Sequence, residues 1–120
     1  MVISFSVKEA REQLMNEGLV YTFRWKRRSF FAKEKGVVES TWANAKRGGK
    51  RIAYVDIEEE ANIKAEKEDL EPYNEKSGFS SVGKWWNKIY DMSNPYIIDD
   101  KGWLYKVTLK RSNGSETDER

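Results

Sequence analysis

The chain has 120 residues, with 22 Lys and Arg against 20 Asp and Glu, and it contains no His and no Cys. This length is enough for one compact domain and short for two. The missing residue types exclude disulfides, thiolate nucleophiles, zinc-thiolate sites and histidine general bases. Chemistry is therefore left to Lys, Asp, Glu, Thr, Ser or Tyr, and a binding protein is the first expectation.

The first elements predicted along the chain are a short strand at residues 2–5 and a helix at 7–17. A capping box from Ser6 to Glu9 is expected to begin the helix, and Gly18 is expected to end it. After the glycine, the apolar period changes to two, which predicts a strand.

This second strand has two different faces. Tyr21, Phe23 and Trp25 form an aromatic face that is expected to point inward. The opposite face carries Thr22, Arg24 and Lys26. Alternate residues of a strand lie about 7 Å apart, which is close to the repeat of the phosphates in a nucleic-acid strand.

The middle of the chain is less regular over residues 29–49, which include Trp42. The glycine pair 48–49 predicts a tight turn, and the alternation that follows predicts a strand at 52–58. This strand either continues with a bulge through residue 63 or gives way to a helix in the Glu-rich stretch. The pattern supports both alternatives.

The last third predicts a loop at residues 72–78, then a helix capped by Ser80 or Ser81. One face of this helix carries Val82, Trp85, Trp86 and Ile89, and Asn94 and Pro95 end it. A hairpin is expected next, with strands at 96–98 and 103–109. Residues 112–120 contain no apolar side chain, which predicts a disordered tail.

The order of these elements favours an α/β protein of the α+β type. We expect a single domain over residues 1–111, built as a small mixed, partly open β-barrel with two covering helices. A doubly wound parallel sheet would need more crossover helices. No apolar run approaches the roughly 20 residues that cross a bilayer, so we expect a soluble, cytoplasmic protein with no membrane contact. Its abundant Lys and Glu would suit an archaeal or thermophilic source.

Two segments carry a family resemblance: Tyr21-Thr22-Phe23-Arg24, and the run Gly-Lys-Arg-Ile-Ala-Tyr-Val-Asp-Ile at 49–57. Together with the late hairpin, they make the chain similar to the ASCH domain family of the PUA-like superfamily over about residues 2–111. The resemblance implies a small β-barrel of PUA-like type with a helix-lined cleft, and a role in RNA binding or RNA-related chemistry. Some members hydrolyse modified nucleosides or cleave RNA.

The family signature is matched at Thr22 and Arg24, but Leu19 or Val20 stands where the family has a lysine. In amidohydrolase-like members that lysine helps to supply the reactive machinery. The resemblance therefore implies the cleft more than the activity. Catalytic residues stay unknown, with Thr22 and Arg24 as weak candidates, and a hydrolase acting on RNA or a modified nucleoside at this cleft is the alternative function.

Charge is unevenly distributed along the chain. Residues 24–51 hold 10 basic and 2 acidic groups, a net charge of +8, whereas residues 52–76 hold 3 basic and 9 acidic groups. A basic block in a nearly neutral chain predicts an anion-binding face. We therefore expect a nucleic-acid-binding module for RNA or another single strand, in which cations bind the backbone and aromatic rings stack on bases.

The candidate nucleic-acid-binding residues are Arg24, Trp25, Lys26, Arg27, Arg28, Trp42, Lys46, Arg47, Lys50, Arg51, Lys84 and Trp85. No cofactor and no metal is expected, and the oligomeric state is open.

Three other interpretations of the charged residues stay open. The cations could pair with glutamates 58–60 while Trp25 and Trp42 fill the core. Asp56 and Glu58 could hold Mg²⁺ or only blunt a strand edge. The acidic stretch 58–71 could shield the basic face or bind a protein partner.

Overall fold

The computed structural model of the protein describes residues 2–33, 36–92 and 101–110, and within them one curled sheet forms a half-barrel. Its strands are β1 (Ile3–Ser4), β2 (Leu19–Arg24), β3 (Glu39–Asn44), β4 (Arg51–Lys64) and β5 (Lys101–Leu109). The α-helices are α1 (Lys8–Glu17), α2 (Ser29–Lys33), α3 (Lys67–Leu70) and α4 (Val82–Asp91), and a 3₁₀ helix follows α3 at Glu71–Lys76. The predicted mixed, partly open barrel is confirmed, although the described ranges hold four α-helices rather than the two predicted.

The strands lie in the order β1-β3-β4-β5-β2, so that β1 and β2 form the two edges of the sheet. The β1 and β3 pair is parallel, and the other pairs are antiparallel. A curled sheet of this order brings its first two strands towards each other from opposite edges.

Helix α1 begins one residue later than predicted. Val7 occupies the N-cap in an extended conformation and no side chain caps the helix, so the predicted capping box from Ser6 to Glu9 is wrong. A capping side chain belongs to the N-cap residue itself. Here Val7 is the N-cap, so Ser6 lies one residue too early to accept hydrogen bonds from the first N–H groups of the helix. Gly18 ends the helix in the left-handed conformation, as predicted, and its N–H donates to the Leu14 carbonyl.

Residues 29–49 are more regular than the sequence indicated, because they form α2 and β3. The buried positions of β3 include Glu39 and Thr41, which are polar. The sequence therefore lacks the alternation of apolar and polar residues that would have predicted a strand here. The predicted turn is present, with Gly48 at φ 71°. Strand β4 continues to Lys64 with a register shift between Glu59 and Ala61, which decides between the two alternatives in favour of the bulged strand.

Two hydrophobic clusters lie on opposite faces of β2. The first fills the half-barrel under α1 and α2 and includes Val20, whereas the second packs α4 against the outside of β2 and β5 and includes Phe23. Strand β2 is thus covered on both sides. The aromatic face was expected to point inward, but it packs against α4 outside the half-barrel, and the opposite face, which carries Val20 and Thr22, is buried as well.

Helix α4 is capped as predicted, since the Ser81 Oγ accepts a hydrogen bond from the Lys84 N–H at 3.2 Å. Strand β5 covers the predicted strand at 103–109. The predicted stop at Asn94 and Pro95, the hairpin arm at 96–98 and the tail at 112–120 lie outside the described residues. Within the described ranges, no helix has both the length and the apolar character needed to span a membrane.

Candidate nucleic-acid interface

The predicted basic run at residues 24–28 does not form one exposed surface. The Arg27 guanidinium donates two hydrogen bonds of 2.7 Å to the Glu59 carboxylate, and Arg28 donates two of 2.8 Å to Glu39. The bond to Glu59 raises the pKa of Arg27. These two cations are thus already neutralised, one of them by the Glu-rich stretch of β4.

The arginines of this run also hold the two edges of the sheet together. Arg24, at the end of β2, donates from Nη2 to the Ser4 carbonyl of β1 at 2.9 Å, and from Nε to the Thr22 hydroxyl at 3.2 Å. Arg28 donates from Nη1 to the Val2 carbonyl at 3.2 Å. Backbone carbonyls at the edge of a sheet have no neighbouring strand to donate to them, so they need hydrogen-bond donors from elsewhere. Arg24 and Arg28 provide them, so both side chains have a structural role at the seam of the half-barrel.

Trp25 is packed inside the second hydrophobic cluster. Its ring meets Phe23 edge-on at 5.0 Å between centroids, and Tyr90 at 6.4 Å. The ring is partly buried and held by these contacts, which does not favour a stacking role, and its indole N–H is buried without a hydrogen-bond partner among the described residues. Lys26, next in the chain, is exposed beyond the end of β2.

Trp42 lies on the outer face of the sheet with its side chain in solvent. Its strand partner in the β3–β4 register is Tyr54, and the two rings meet edge-on at 4.9 Å. They are 39% and 36% exposed, respectively. The Arg51 guanidinium lies 5.2 Å from the Trp42 ring centroid, and the Lys110 ammonium lies 5.4 Å from that of Tyr54. The sequence predicted Trp42 as a ring that could stack on a base; the structure adds Tyr54 beside it and a cation over each ring.

The loop between β3 and β4, residues 45–50, carries the second predicted group of cations. The turn is fixed by two backbone bonds, from Ala45 N–H to the Lys50 carbonyl and from Gly49 N–H to the Lys46 carbonyl. The exposed cations here are Lys46, Arg47, Lys50 and, at the start of β4, Arg51. None of them has an ion-pair partner among the described residues.

Arg28 and the 45–50 loop lie at opposite ends of β3, so the two predicted groups of cations do not form one shared surface. Arg28 binds Glu39, the first residue of β3, whereas the loop follows Asn44, the last. Five steps along a strand correspond to about 17 Å. A hairpin places its turn far from its open end. Arg28 is bound at the open end, whereas Arg24 donates to the Ser4 carbonyl, and Ser4 pairs with Asn44 next to the loop.

Two residues of α4 that the sequence singled out lie in different places. Trp85 is buried in the second cluster, and Lys84 is exposed on the other side of the helix. The partly exposed tryptophan of the pair is Trp86, whose Nε1 donates to the Ala65 carbonyl at 2.9 Å. Lys67 lies 5.2 Å from its ring centroid. Neither tryptophan of α4 joins the Trp42 surface.

A cavity of about 230 Å³ lies behind the seam, between β1, β2 and α4. Thr22 and Arg24 line it, as expected for the predicted cleft, and Lys88 of α4 lines it as well. Burial, and secondarily repulsion from Arg28, lowers the pKa of Arg24 to about 10, so the guanidinium is still charged at neutral pH.

The cavity wall is joined to the 45–50 loop. Phe5, which lines the cavity, donates its N–H to the Asn44 carbonyl at 2.8 Å. The Arg11 Nη1 of α1 donates both to the Phe5 carbonyl at 3.0 Å and to the Ala45 carbonyl at 3.2 Å. The basic loop thus begins beside the cleft, as the predicted site requires. Of residues 24–28, however, Arg24 lines the cleft, whereas Arg27 and Arg28 are paired with glutamates.

Sequence reasoning missed Tyr54, Lys110 and Arg11 as neighbours of this site. Tyr54 could have been found by pairing residues outward from the 48–49 turn, which sets it opposite Trp42. Lys110 follows β5, and its N–H donates to the Tyr54 carbonyl across the sheet. No local pattern reports such a contact between residues far apart in the chain.

The carboxylates considered for Mg²⁺ are already engaged. Asp56 accepts a hydrogen bond from the Ser40 hydroxyl at 2.6 Å and lies 3.8 Å from the Lys110 ammonium. Glu58 is exposed and stands opposite Lys106 in the β4–β5 register. No group of three or more acidic side chains suited to a metal occurs within the described ranges. The geometry favours a solvated, charge-paired strand face.

Comparisons with protein-family models, curated proteins and solved structures gave no match for this chain, so the resemblance to the ASCH domain stays a prediction from its sequence.

Proposed function

We propose that the protein binds single-stranded nucleic acid, RNA foremost, on the outer face of the β3–β4 hairpin. This hairpin face consists of the 45–50 loop with Trp42, Arg51, Tyr54 and Lys110. The observation that carries the proposal is the exposed Trp42 and Tyr54 pair, with cations on both rings and an unpaired basic loop at its end.

The rings supply the base-binding part of this face. Large aromatic side chains are usually buried, and this sheet has two cores in which they could lie. Trp42 and Tyr54 are on the solvent side because the alternation of β3 and β4 places them there. The edge-on contact does not cover both faces of either ring, so a base would stack on a face that Arg51 or Lys110 does not cover.

The cations supply the backbone-binding part. Lys46, Arg47, Lys50 and Arg51 lie next to one another around a tight turn, with no carboxylate bound to them among the described residues. Four phosphate contacts on a single strand correspond to a slope of about −3 in a plot of log affinity against log salt. A face of this size supports modest affinity that is sensitive to ionic strength and does not depend on one base sequence.

The hydrolase alternative would need a general base beside Thr22 and Arg24. The described residues that line the cavity provide no carboxylate there. Binding is therefore the function that the geometry supports best.

The test is a fluorescence titration of a labelled single-stranded oligouridine at several salt concentrations. Trp42→Ala should weaken binding by about 5-fold to 150-fold, because stacking on one base contributes roughly 1–3 kcal/mol. The double variant Lys46→Gln and Arg47→Gln should reduce the salt slope by about 1.4.

The matched control is Lys64→Gln, which removes an exposed cation from the far end of the same strand, β4. It should leave the slope unchanged. Binding that ignores ionic strength, or that Trp42→Ala does not weaken in a folded protein, would refute the proposal.

A further inference from the structure

The cavity behind the seam contains a buried cation whose donors are only partly used. A guanidinium has five N–H donors. Arg24 donates one to Thr22 and one to Ser4, which leaves three without a partner among the described residues. Its guanidinium also lies 5.4 Å from the Phe5 ring centroid, and no carboxylate of the described residues pairs with it.

A second cation faces the same space. Lys88 of α4 lines the cavity, and no ion pair neutralises it within the described ranges. Both side chains are partly shielded from water, where an anionic partner stabilises a cation. The two groups approach the cavity from opposite walls, β2 and α4, so one anion between them would satisfy both.

The remaining walls are mainly apolar and aromatic. They include Phe5, Val7, Phe23, Trp85, Ile89 and Met92. A cavity of about 150 Å³ with such walls holds a benzene molecule. At about 230 Å³, this one has room for a single ring and a charged substituent, which is too small for an oligonucleotide.

We infer that this cavity binds a small organic anion, a carboxylate or a phosphate ester, with a flat apolar body. The anion accepts hydrogen bonds from the free donors of Arg24 and from Lys88, and the apolar body lies against Phe23 and Trp85. This site is separate from the hairpin face and goes beyond the proposed function. It does not depend on nucleic-acid binding.

The experiment is calorimetric titration of the protein with phenylacetate and with phenyl phosphate, each compared with neutral phenylacetamide. We expect saturable binding of at least one anion, about tenfold tighter than the amide or better, because hydrogen bonds to charged groups are the stronger ones. A preference for either anion identifies which acid the site takes. Equal affinity for acid and amide, or binding by neither anion, would overturn the inference.

Substitutions on α4 separate this site from general charge effects. Lys88→Met should lower the ratio of anion to amide affinity by about fivefold. Lys84→Met removes the same charge one turn earlier, from a side chain that does not line this cavity, and should leave the ratio unchanged. Equal effects of the two variants would count against the site.

A final comparison distinguishes this inference from the proposed function. Trp42→Ala should bind the anion as the wild type does, because Trp42 does not line the cavity. If a single-stranded oligonucleotide displaces the anion competitively, the cavity belongs to the nucleic-acid path, and the inference of a separate small-anion site fails.

Discussion

The pair of Arg28 and Glu39 offers the sharpest test of whether residues 24–28 stabilise the fold or are free to bind phosphate. The perturbation is Glu39→Gln, which keeps the side-chain size and removes the negative charge. The Arg28 and Glu39 side chains are only 12% and 6% exposed, so little water can replace the lost partner. The Arg28 guanidinium would keep its bond to the Val2 carbonyl and lose two charged ones.

The magnitude follows from this burial. Removing one partner of a buried ion pair costs about 3–5 kcal/mol. We expect the lower end, about 3 kcal/mol, because the glutamine amide oxygen can still accept one bond. For a domain of this length that loss lowers the Tm by about 12 °C. Glu59→Gln is the matched control, since Arg27 and Glu59 form the same two-bond pair with side chains 28% and 23% exposed. It should cost clearly less than Glu39→Gln, because water screens this more exposed pair.

The assay is urea and thermal unfolding followed by tryptophan fluorescence, with the double variant Arg28→Met and Glu39→Met beside the single ones. The double variant should be more stable than Glu39→Gln, because it leaves no unpaired charge. Equal losses from Glu39→Gln and Glu59→Gln would refute this reasoning. They would mean that solvent screens both pairs and that Arg28 is as available to phosphate as a surface cation.

Two further predictions concern the rest of the fold. Gly78 has φ 94°, and a Cβ at this position would clash with the Glu9 carbonyl, so Gly78→Ala should cost at least about 3 kcal/mol of unfolding free energy. Gly48 has φ 71° but open space around it, so Gly48→Ala should cost only about 1–2 kcal/mol in the same unfolding assay. Burial raises the pKa of Tyr105 above 10.0, so the stability that Tyr105 contributes is complete below pH 10 and is lost as the pH rises further. The pKa of Arg24 is lowered, so its titration makes the free energy of unfolding rise with pH in the alkaline range. Tyr105→Phe should therefore lose stability less steeply than the wild type as the pH rises above 10, and an unchanged slope in alkaline unfolding would contradict the assignment.

Part of the site was predictable because it depends on local pattern. The glycine pair set the turn, the alternation after it set β4, and the charge count marked 46–51 as basic. Strand β3 was missed because its buried positions include Glu39 and Thr41, which have the composition of a loop. Glu39 is tolerated inside only because Arg28, eleven residues away, is brought to it by the fold.

The sequence by itself determined the fold class, the two main helices and the exposed basic turn, because each follows from periodicity or from residues that are close in the chain. Only the tertiary structure decided which cations are free. Arg24, Arg27 and Arg28 read like phosphate ligands, yet curling of the sheet brings them against the β1 carbonyls and against Glu39 and Glu59. A cation is neutralised by a carboxylate that lies near it in space. The distance between the two groups is set by the fold, and it cannot be read from the cation or from its neighbours in the chain.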